Sequence, residues 1–229
     1  MDYDQIVSTL GYGQAGAVTR NKVLRNTYML TALSLIPMAI GGVVGANMSF
    51  AFIAGSPMLF FFGFMLVTYG LMFAIQANRN SGVGVVLMLA FTGVLGIMMG
   101  PLLQHVLHQA DGGMIIAFCA LGTAGVFGGM AAIGTAIKTP LNGLAKFLSV
   151  GAIVLLVAMI AGVFLHIPAL SLAISAAFIL FSSLMILWQL NNIVTNGETN
   201  YISATLTLVI SIYNIFVSLL SIFGGGNRN

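Results

Sequence analysis

Residues 201–221 read Tyr201-Ile202-Ser203-Ala204-Thr205-Leu206-Thr207-Leu208-Val209-Ile210-Ser211-Ile212-Tyr213-Asn214-Ile215-Phe216-Val217-Ser218-Leu219-Leu220-Ser221. No charge interrupts the stretch, and it meets the ~20 apolar residues that a bilayer-spanning helix needs. Ser203, Thr207, Ser211, Asn214, Ser218 and Ser221 advance 18 residues in five steps, which is the α-helical period of about 3.6. Hydroxyls and amides turned toward hydrocarbon lack partners. The stripe is therefore expected to face inward, and this helix to stand at the centre of a bundle.

The rest of the chain supports that reading. Of 229 residues, 5% are charged, seven Lys or Arg against four Asp or Glu, while 59% are hydrophobic. A soluble domain carries roughly 25% charged residues, so the chain reads as an integral membrane protein. Nucleic-acid binding needs a dense basic field, and a secreted scaffold needs paired cysteines. Seven Lys or Arg in 229 residues make no such field, and Cys119 is the only cysteine, so both are excluded.

Charge-free runs bound the number of spans. They cover residues 26–78, 80–110, 112–137, 147–197 and 199–227. The first and fourth have room for two helices each, divided near Gly55-Ser56-Pro57 and His166-Ile167-Pro168, where proline suits a first helical turn. The expectation is an all-α bundle of seven transmembrane helices at about 27–46, 57–77, 82–104, 113–136, 145–165, 168–190 and 200–223, with the seventh central. Residues 1–26 read as a flexible cytoplasmic tail, 27–223 as the membrane domain and 224–229 as a short C-terminal tail.

Cations orient the bundle. With a cytoplasmic N-terminus, Arg20, Lys22, Arg25, Arg79, Lys138 and Lys146 all lie inside and only Arg228 lies outside. The C-terminus is then periplasmic.

Helix 6 carries a sparser stripe, Ser171, Ser175, Ser182 and Gln189, expected to face that of helix 7. Gln189, Thr207, Ser211, Asn214 and Ser218 are the candidate polar core, serving either as packing contacts or as a hydrated ion path. Glu198 and Asn200 either cap helix 7 against its dipole or form a cation-attracting cytoplasmic mouth. Gly41/Gly45, Gly96/Gly100 and Gly125/Gly129 have the spacing that lets helix backbones approach closely. His105, His108, Asp111 and His166 are possible zinc ligands by type, but nothing in the sequence brings His166 to the others, so no metal site is assigned. No phosphate-binding glycine motif is present, and no cofactor is expected. The helix cores supply no catalytic His or Asp, so no enzyme activity is assigned.

Several segments resemble the Bax inhibitor-1 family, in its YccA-like bacterial branch. They are Asn196-Gly197-Glu198-Thr199-Asn200-Tyr201-Ile202, Ser211 through Leu220, Lys22-Val23-Leu24-Arg25-Asn26-Thr27-Tyr28, Tyr69-Gly70-Leu71-Met72-Phe73, Ala90-Phe91-Thr92-Gly93 and Pro168-Ala169-Leu170 with Ala173-Ile174-Ser175-Ala176. The resemblance implies a seven-helix bundle with helix 7 central, in a bacterial inner membrane. It also implies one of two roles, a modulator and slow substrate of the membrane AAA protease FtsH or a Ca²⁺ leak channel. Leak-type members resemble one another in an Asp pair that shares a gating proton. This chain has Gln189 and Ser211 at those places, and neither titrates near neutral pH. The protease reading is therefore preferred, with the polar tail as the segment an unfoldase grips.

Overall fold

The computed structural model describes residues 3–50, 56–165, 167–195 and 197–225, with 3–17, 57, 59–61 and 163 described by backbone alone. Among these residues there are eight helices and no strand. They are α1 (Tyr3–Ala46), α2 (Pro57–Ala77), α3 (Gly82–Met98), α4 (Gly100–Leu107), α5 (Gly112–Ala136), α6 (Asn142–Leu165), α7 (Pro168–Val194) and α8 (Tyr201–Gly224).

Five helices are long and apolar enough to cross a bilayer: α1 from Val18, α5, α6, α7 and α8. The α3–α4 pair forms a sixth such unit, bent by 41°. α2 is 21 residues long, Pro57–Ala77, about the length a span requires; its side chains are described without interruption over the apolar stretch Phe62–Ala77. Length and composition thus establish five or six of the seven expected spans. The bend corrects the single helix expected over 82–104. Pro101 stands in the first turn of α4, where it has no N–H to donate to the Ile97 carbonyl, and its ring blocks continuation from α3.

Residues 20–26, expected in a flexible tail, belong to the bundle, and the helix begins at Tyr3 rather than near residue 27. Val23 is buried with Ile193 of α7 and Ala204 of α8, and Leu24 packs against the same cluster. Arg20 Nη1 donates to the Val194 carbonyl at 3.4 Å. These apolar side chains have a core to join, so the helix extends ahead of the membrane-spanning stretch.

The expected centre is observed. α8 packs against α1, α2, α3, α4, α5 and α7, whereas α6 packs on α7 alone among the described helices. One core joins α8 to α1–α5 through Phe91, Met88, Ile202 and Val209. The other joins it to α5, α7 and the start of α1 through Ile186, Leu190, Leu208 and Ile215. Outward-facing side chains are large and apolar: Leu66, Phe73, Leu121 and Leu180 are 68–77% exposed. In water such a surface would aggregate, and in a bilayer it meets acyl chains.

α1 and α3 touch backbone to backbone. A Cβ at Gly41 would strike the Gly93 carbonyl, one at Gly45 the Ile97 carbonyl, and one at Gly96 the Met38 carbonyl. Gly125 and Gly129 on α5 have the same spacing but face open space, so for them packing is not the reason.

Candidate functional site

Two members of the α8 polar stripe are satisfied by their own helix. Ser211 Oγ donates to the Thr207 carbonyl at 2.8 Å, and Thr207 Oγ1 to the Ser203 carbonyl at 3.3 Å. Ser203 Oγ reaches out of the helix, to Gln76 Oε1 of α2 at 2.9 Å. From sequence the stripe is expected to face α7; instead its Ser203 end reaches α2. The reason is rotational: Ala204, Leu208 and Ile215 lie about a quarter turn from Ser203 and Asn214, and these apolar residues take the α7 contact.

On α7, Ser175, Ser182 and Gln189 are buried, at 8%, 1% and 2% exposed, while Ser171 faces outward. Gln189 Nε2 and Ser182 Oγ make no hydrogen bond. No hydrogen bond joins the two stripes among the described residues.

Asn214 and Ser218 line a cavity of about 390 Å³. Its walls come from α2, α3, α6, α7 and α8, and of these α2 and α6 do not touch. Thr68 Oγ1 is buried here without a partner. A second cavity, of about 540 Å³, lies between α1 and α5 and is floored by α8. Thr31 lines it, and its buried Oγ1 is also unpaired. At this cavity's edge Tyr28 and Phe127 meet edge to face, with ring centroids 6.3 Å apart. The ring of Tyr213 lines both cavities. Sequence reasoning missed Thr68, Tyr213 and Thr31. The available signals were a lone Thr in the apolar run 57–77 and the i, i+4, i+7 series Thr27, Thr31, Ser34, all of it buried.

The loop before α8 is held by amides. Asn200 Oδ1 caps the helix by accepting from Ile202 N and Ser203 N at 3.0 and 3.1 Å. Its Nδ2 donates to the Arg79 carbonyl and to Asn80 Oδ1 in the α2–α3 loop. Glu198 Oε1 accepts from Asn200 N at 2.7 Å. The pair sequence reasoning offered as either a cap or a mouth thus includes the N-cap and lashes two loops together. At Gly197 a Cβ would collide with the Asn192 side chain. Asn191 ties the α5–α6 loop: its Nδ2 donates to the Ile137 and Thr139 carbonyls, and its Oδ1 accepts from Leu141 N.

His105, His108 and Asp111 are exposed. His108 Nδ1 lies 2.6 Å from the Gln104 carbonyl, while His166 lies outside the described residues. No group of three His, Cys, Asp or Glu side chains is gathered among the described residues.

A family model described as "Inhibitor of apoptosis-promoting Bax1" matches residues 20–229. The chain belongs to the Bax inhibitor-1 family. It is 47% identical over 210 residues to an uncharacterized protein of Neisseria meningitidis serogroup A, covering 91% of this chain and 92% of that one. It is 42% identical over 226 residues to the Escherichia coli K12 protein named "Modulator of FtsH protease YccA", covering 99% of this chain and 100% of that one. A protein named "Inner membrane protein YccA", from Escherichia coli O6:H1, matches at the same identity and coverage. This Bax inhibitor-1 member is thus a multi-helix membrane protein with YccA-type relatives, and the resemblance read from its segments extends over nearly the whole chain.

Proposed function

We propose that the chain is a modulator and slow substrate of an FtsH-type AAA protease in a bacterial inner membrane. The observation that carries this reading is the full-length similarity to a relative named for that activity. The architecture supports it. α1 extends from Tyr3 to the membrane-crossing stretch at Val18, offering a handle ahead of the bundle, and the two cores around α8 resist extraction behind it. Deleting residues 2–18 leaves Arg20 and Val23 in place. The trimmed chain should live longer in cells and no longer slow the protease, and unchanged turnover would remove the handle from this account. The orientation belongs to the same proposal: seven spans counting α2, N-terminus cytoplasmic, C-terminus periplasmic. A C-terminal reporter active only in the cytoplasm would overturn it.

The unpaired Gln189 and Ser182 beside α8 favour a second reading, a Ca²⁺ or other cation leak without a carboxylate gate, with Glu198 and Asn200 at its cytoplasmic end. Ca²⁺ flux into dye-loaded proteoliposomes tests it, with a Gln189→Asp/Ser211→Asp variant run beside the native chain. Native flux would carry this reading, and its absence from a folded native chain would remove it.

A further inference from the structure

We propose that the cavity between α2 and α6 is a binding site for a flat, uncharged, carbonyl-bearing molecule dissolved in the bilayer, of the quinone type. The argument starts from hydrogen-bond accounting. Thr68 Oγ1 is buried and unpaired, and the Asn214 and Ser218 side chains bond to no described residue, although Ser218 is only 6% exposed. A buried polar group without a partner is costly in an apolar medium, so the Thr68 hydroxyl on α2, with the unbonded Asn214 and Ser218 side chains of α8 lining the same cavity, marks a place for an external partner. Each of the three can donate to a carbonyl oxygen.

The lining narrows the chemistry. No charged side chain contributes, so an ion would enter without a counter-charge. Phe64, Tyr69, Phe91, Phe178, Phe181 and Tyr213 all contribute rings, and rings favour a planar π-system through edge and offset contacts. Depth narrows it further. Thr68 lies midway along α2 and Asn214 midway along α8, about 15 Å from either membrane surface, where phospholipid headgroups do not reach. α2 and α6 both line the cavity and do not touch, and a gap between two membrane helices admits a molecule from the hydrocarbon rather than from water.

Trp188, the only tryptophan, supplies the readout. It lines a small neighbouring cavity whose wall shares Ala152 and Phe181 with this one. Native protein in nanodiscs would be titrated with decyl-1,4-benzoquinone while Trp188 emission is followed. The expected result is saturable quenching, with the half-maximal concentration raised about tenfold in Asn214→Leu, the loss of roughly one hydrogen bond. Thr68→Val, which keeps the side-chain shape, should act in the same direction and serves if Asn214→Leu does not fold. An equal concentration of 1-decanol should leave the curve unchanged. Quenching that rises linearly and equally in native and variant proteins would overturn the proposal, as would displacement by decanol.

Discussion

Asn200 Nδ2 donates to the carbonyl of Arg79 at 2.9 Å, across 121 positions of sequence. One amide therefore starts the central helix and fixes the turn between α2 and α3.

Replacing Asn200 separates these two duties. Asn200→Asp keeps an oxygen for Ile202 N and Ser203 N but loses the donor to Arg79, whereas Asn200→Ala loses both. Alanine should destabilise by about 1–2 kcal/mol, within the usual range for a lost N-cap, and aspartate by less. Thermal unfolding in detergent gives the order, and an alanine variant as stable as native would contradict it.

Asn191 is 1% exposed and makes three bonds to residues 137–141. Asn191→Leu strands two carbonyls and one N–H, at about 1–3 kcal/mol for each group left buried. The α5–α6 loop should then be cut faster by a protease added on its side of the membrane. Cutting at the native rate would show that the loop is held by something else.

The glycines divide sharply. Gly96→Ala should force α1 and α3 apart and lower the folded yield severely, because its Cβ meets the Met38 carbonyl rather than a movable side chain. Gly125→Ala meets nothing within 4 Å and should be neutral. Equal effects, measured as monodisperse fraction after detergent extraction, would refute the close approach.

Gln189→Leu tests the unpaired amide. Removing a buried donor that has no partner should be neutral or stabilising. A drop in melting temperature of several degrees would mean that Nε2 is satisfied by bound water, and would strengthen the leak reading.

Helix positions were largely legible in the residues, because ~20-residue apolar runs and prolines at first turns are one-dimensional signals. Pro57 and Pro168 open α2 and α7 where expected. Pro101 carried the same signal, but it sat inside a run that was continuously apolar and read as unbroken. The start of α1 was misplaced because Lys22 and Arg25 look like tail residues until Val23 and Leu24 are seen to have partners on α7 and α8. The centrality of α8 was legible from its stripe, but the stripe's facing was not. Period fixes which residues share a face, and only the packing of Leu208 and Ile215 decides where that face points. Of the polar core, Asn214 and Ser218 line a cavity while Thr207 and Ser211 bond to their own helix. The cavity itself needs the gap between α2 and α6, a relation between elements far apart in sequence.

The helix on which both cores are built comes after the other seven described helices in sequence. During synthesis α1 through α7 leave the ribosome before α8 exists. Until then Phe91 and Met88 on one side, and Ile186 and Leu190 on the other, border an unfilled axis. A ribosome halted before Tyr201 would leave α1 through α7 without the helix that joins their two cores, a product with membrane segments but no keystone.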